Sequence, residues 1–63
     1  MWTVVHIAPN KKEAERMQQY LTNEGFLVKV RPISLHADGE NTPVEILVPE
    51  AEVEEALEMI SQF

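Results

Sequence analysis

The chain has 63 residues, a formal net charge of −6, no cysteine and 44% apolar residues. That length allows one domain, residues 1–63, near the lower size limit for folding without staples; folding buries only about 60% of the surface that the unfolded chain exposes. The absence of cysteine excludes a disulfide framework, a thiolate zinc site and a cysteine nucleophile.

Residues 2–8, Trp-Thr-Val-Val-His-Ile-Ala, are β-branched and aromatic and stop at Pro9, which predicts a strand. Asn10 followed by Glu13 is an Asn-x-x-Glu helix start, a variant of the capping box. Residues 11–24 then put Ala14, Met17 and Leu21 on one face at helical spacing, flanked by Tyr20. Gly25 falls where a left-handed C-terminal cap belongs. Residues 26–33 alternate, with Phe26, Val28 and Val30 on one side and Leu27, Lys29 and Arg31 on the other, as in a half-buried strand. Residues 34–43 hold Asp38-Gly39, Asn41 and Pro43 and read as a long polar connection. Residues 44–48 predict a third strand with Val44, Ile46 and Val48 facing one way. Pro49-Glu50 opens a second helix with an apolar stripe of Val53, Ala56, Leu57, Ile60 and Phe63.

The order strand, helix, strand, strand, helix predicts an α+β fold, a βαββα two-layer sandwich. A right-handed first crossover and a hairpin of strands two and three give a three-stranded antiparallel sheet, order 1-3-2, with both helices on one face. This is a ferredoxin-like plait lacking its last strand, so strand one keeps an open edge and one sheet face is naked. If Thr3, Val5 and Ile7 point to the helices, the naked face carries Trp2, Val4, His6, Leu27, Lys29, Arg31, Glu45 and Leu47. So large an apolar share on so small a domain predicts a covering partner or a second copy of the chain.

Charge is unevenly divided. The first 31 positions hold all five basic residues against three acids, net +2; the remainder holds eight acids and no Lys or Arg, net −8. That balance disfavours nucleic acid and an anionic membrane surface as partners. No apolar run approaches the ~18 residues of a membrane span and no leader pattern opens the chain, so a cytoplasmic location is expected.

Trp2-Thr3-Val4-Val5, the Ala8-Pro9-Asn10 turn, Glu24-Gly25-Phe26 and Ile46-Leu47-Val48-Pro49-Glu50 together resemble the small prokaryotic signal-transducing proteins. That family is a domain of unknown function related in fold to the nitrogen-regulatory PII (GlnB-like) proteins, and the resemblance spans roughly residues 2–61. It implies a regulatory role. PII proteins are βαββαβ trimers that bind ATP and 2-oxoglutarate and present a long loop between strands two and three. Here the equivalent connection, residues 34–43, is shorter and holds no tyrosine, and the final strand with its phosphate-contacting basic segment is not matched. The PII nucleotide site is therefore not carried over.

Two places could carry chemistry. Asn10, Lys11 and Lys12 sit at a helix start, which suits a small anion, and the topology brings Ser34, His36 and Asp38 to the same end of the sheet. The ordinary alternative is a solvated turn with Asn10 as cap. His36, Asp38 and Glu40 match no metal-ligand spacing, so no metal is assigned. Lys29 and Arg31 could bind a phosphate, but the ordinary use, pairing across the sheet with Glu45, is the one expected. The glutamate-rich second helix reads as a charged outer face, and any partner is expected on the sheet and loop before it. With no nucleophile–base arrangement and no glycine-rich phosphate loop, no catalytic residue and no cofactor is expected.

The expected function is a small non-enzymatic regulatory or signalling interaction module, a homodimer or docked on a protein partner. It would make contact through the open sheet face, the strand-one edge and the 34–43 loop. The alternatives are a small-anion or nucleotide sensor at the helix-one N-terminus and that loop, or a structural subunit of a larger enzyme complex.

Overall fold

The computed structural model describes residues 1–33 and 41–63. The elements are β1 (Trp2–Ala8), α1 (Lys11–Asn23), β2 (Lys29–Pro32), β3 (Val44–Pro49), a single 3-10 turn (Glu50–Glu52) and α2 (Val53–Ile60). The sheet is antiparallel in the order β1-β3-β2, as the element order predicts.

Both ends of α1 follow from local chemistry. The Asn10 Oδ1 accepts the Glu13 N–H at 2.8 Å, which satisfies one of the helix's orphan donors. At the other end Gly25 has φ +98°, the Gly25 N–H donates to the Thr22 carbonyl and the Phe26 N–H to that of Leu21. This is a Schellman motif, and Phe26 packs back on the cluster that contains Leu21. Space around Gly25 is open, so the cost of Gly25→Ala is the strain of holding a Cβ at this positive φ. The substitution should cost about 1–2 kcal/mol, seen as a lowered urea midpoint with an unchanged m-value.

The core lies between the sheet and the helices. Ala8, Val44 and Ile46 of the sheet meet Ala14, Met17 and Leu21 of α1, with Val5, Phe26, Val28, Met59 and Ile60 packed around them. Met17 is buried and Met59 half-buried against this cluster. The α2 helix lies on β1 and β3, and its link to α1 is the Tyr20 hydroxyl, which donates to the Met59 carbonyl at 2.9 Å.

Two elements differ from the sequence-based expectation, the second of them in two respects. Strand β2 is shorter, because the Leu27 N–H donates to the Glu52 carboxylate rather than to the β3 ladder. The second helix starts with a 3-10 turn and becomes α-helical only at Val53. Its apolar stripe also shifts: Ala56 is buried and Met59 packs on the core, while Leu57 and Phe63 are about half exposed.

Candidate functional site

The cross-strand register assigns the two sheet faces. Opposite residues in an antiparallel ladder share a face. The rows Val4–Leu47–Lys29 and Ile7–Glu45–Arg31 therefore lie on the open face. The rows His6–Ile46–Val30 and Ala8–Val44–Pro32 lie under the helices. The pairing slips by one residue between Val4 and His6, so Val5 is the extra residue of a β-bulge. The bulge reverses the phase of β1 beyond it. Ile7, expected against the helices, is turned outward and 54% exposed, whereas His6, expected on the naked face, is half-buried opposite Ile46.

The open face is also less naked than its composition implies. Leu47, expected as an exposed contact residue, is only 3% exposed. It is the middle member of its row, between Val4 and Lys29, and the Lys29 ammonium sits 5.2 Å from the centroid of the Trp2 ring. The lysine stem and the indole thus roof the central strand in place of a helix, a cation–π contact with an apolar side chain beneath it. Beside it the Arg31 Nε donates to Glu45 Oε1 at 2.7 Å, as expected for that arginine, whereas Lys29, also expected to pair with Glu45, stands opposite Leu47 in the ladder and lies over Trp2 instead.

What remains exposed concentrates along β1. Trp2, Val4 and Ile7 form an apolar strip on the open face. Among the described residues β1 pairs with β3 alone, leaving its outer edge unpaired. On the helical layer, Ala56 faces inward and Met59 lies on the α1 side. At about 100° per residue Leu57 falls on the opposite side and is 47% exposed. Leu27, also expected in the contact surface, is exposed beyond the start of β2.

Charge is polarised across the same axis. The elements β1, β3, the 3-10 turn and α2 contain six glutamates and no Lys or Arg. All five basic residues lie on α1 and β2. Glu45 is taken by Arg31 and Glu52 by the Leu27 N–H. Glu50, Glu54, Glu55 and Glu58 have no ion pair among the described residues.

The proposed anion site is only partly described. Asn10 is occupied as the helix cap. Lys11 lines a hollow of about 230 Å³ between α1 and β2, with Ala14, Gln18, Val30 and Pro32. Lys12 lines a different, open hollow with Arg16, Tyr20 and Phe63, where the Tyr20 and Phe63 rings stand 4.8 Å apart. The two lysines thus border separate surfaces. Ser34, His36 and Asp38 lie outside the described residues, as does Glu40. Among the described residues no group of three metal-ligating side chains occurs, and no helix is long and apolar enough to cross a membrane.

Comparison with known proteins adds no relative: no family model matches the chain, and no curated protein or solved structure does. The functional reading therefore rests on the surface itself. The bulge that creates the strip leaves no local mark in a run of β-branched residues. Leu57 is indistinguishable from its buried neighbours by helical spacing alone. The readable signal was the charge split, which the fold turns into two sides of one molecule.

Proposed function

We propose that this protein is a small non-enzymatic regulatory module that acts by binding another protein chain, a partner or a second copy, through β1. The observation that carries the reading is a seven-residue strand whose outer edge is unpaired among the described residues, with exposed apolar side chains on both layers beside it. An edge of that kind, bent by the bulge at Val5 but carrying no Lys or Pro from Trp2 to Ala8, offers backbone groups to another strand. The resemblance to the small prokaryotic signal-transducing proteins supports the regulatory character, and a cytoplasmic setting belongs to the same reading.

Site-specific photo-crosslinking in cells that make the protein tests it. A photoreactive residue at position 7, in place of Ile7, should yield a discrete adduct with one protein or with a second copy. The same residue at position 19, on the exposed face of α1, should not. Equal or absent crosslinking at the two positions would remove β1 as the contact surface.

A further inference from the structure

We propose that the occupant of the β1 edge is an extended, basic-and-apolar segment of a partner protein, added as a fourth strand, with α2 reading its positive charge. This rests on the reading of β1 as the contact surface and adds the chemistry of what binds there.

Three observations select the occupant. First, the backbone edge and its apolar flanks ask for a strand: Trp2, Val4 and Ile7 line it on the open face, and on the helical layer Leu57 is exposed on the side of α2 that helical spacing turns away from Met59. Strand addition supplies main-chain hydrogen bonds, and alternate side chains of the added strand fall on the two layers. Secondly, the charged side chains of the elements on the helical side of the edge are acidic, whereas on the open face the Lys29 ammonium already lies over Trp2. Glu50 is tied to the start of β1, its N–H donating to the Met1 carbonyl at 2.8 Å, and Glu54 stands about one turn on, exposed at the rim of a hollow that Phe26, Glu55, Glu58 and Met59 also line. Neither α2, the 3-10 turn nor β1 contributes a Lys or Arg to offset them. Arginine or lysine side chains on the helical layer would lay their stems across Leu57 and carry their heads to these carboxylates. Thirdly, a second copy is the poorer fit. Its β1 would bring another acidic α2 against the first, and two bulged, twisted strands would have to share one register. A flexible peptide follows the twist and complements the charge.

The test uses the intact protein and two capped ten-residue peptides, one alternating valine with arginine, the other valine with glutamate. Amide exchange and amide chemical shifts are followed by NMR. The basic peptide should protect amides of residues 2–8, and its affinity should fall steeply with added salt. The acidic peptide should leave β1 unprotected. The double variant Glu50→Lys/Glu54→Lys, both sites being exposed, should bind the basic peptide about tenfold more weakly and gain affinity for the acidic one. Equal binding of both peptides, or protection outside β1, would overturn the proposal. Protection of β1 by raising the protein concentration alone, with no response to the basic peptide, would also overturn it while leaving the contact surface standing. If neither peptide, self-association nor crosslinking at position 7 involves β1, both readings fall together.

Discussion

Replacing Ile46 with alanine should remove about half of the protein's stability. Ile46 is fully buried at the centre of the middle strand, with β1 on one side, β2 on the other and α1 above. Truncating a buried isoleucine costs about 2–5 kcal/mol, because the lost transfer energy adds to that of the cavity left behind. A chain of this length has only about 3–9 kcal/mol of total stability. Removing one methylene instead, Ile46→Val, should cost about 0.5–1.5 kcal/mol and leave a cooperative transition. Far-UV circular dichroism against urea separates the two. An Ile46→Ala variant with the wild-type midpoint would mean that β3 is not the centre of the fold.

The second large effect is expected at Leu47, on the face that carries no helix. A leucine exposed there would be replaceable by alanine at almost no cost. Leu47 is instead covered by its cross-strand neighbours and by the Trp2–Lys29 pair, so Leu47→Ala should cost about 2–3 kcal/mol. Ile7→Ala, on the same face but more than half exposed, should stay within about 0.5 kcal/mol of wild type. Urea midpoints of the two variants give the comparison directly. Equal midpoints would show that the roof over Leu47 does not exclude water.

The same pair of residues shows why the sheet face was only partly legible. Alternation places Leu47 on the open side correctly, since Val44, Ile46 and Val48 occupy the helical side. What alternation cannot supply is the identity of the neighbours across the strand. Lys29 is 18 positions away along the chain and Trp2 farther still, and their meeting depends on the register of two ladders. In β1 the difficulty is greater, because a single inserted residue at Val5 reverses the phase of everything after it. Val5 is as good a strand former as its neighbours, so nothing local distinguishes it. His6 and Ile7 consequently exchange faces relative to the simple period of two.

The sequence by itself determined the elements whose causes are local. Asn10 and Glu13 start α1, Gly25 ends it, the alternation within residues 26–33 and 44–48 marks two strands, the first formed only over Lys29–Pro32, and their order leaves one antiparallel sheet, β1-β3-β2. These depend on contacts within a turn or on the period of a single segment. Tertiary structure alone decided which apolar residues stay in water. Pairing of β1 with β3 sets the bulge, the packing of α2 leaves Leu57 exposed on the side away from Met59, and the fold gathers Glu54, Glu55 and Glu58 around one hollow with Phe26 and Met59 while carrying the Lys29 ammonium across to the Trp2 ring. Distant segments must meet before burial or charge complementarity is defined. The acidic tail of a linear sequence thereby became one rim of a hollow.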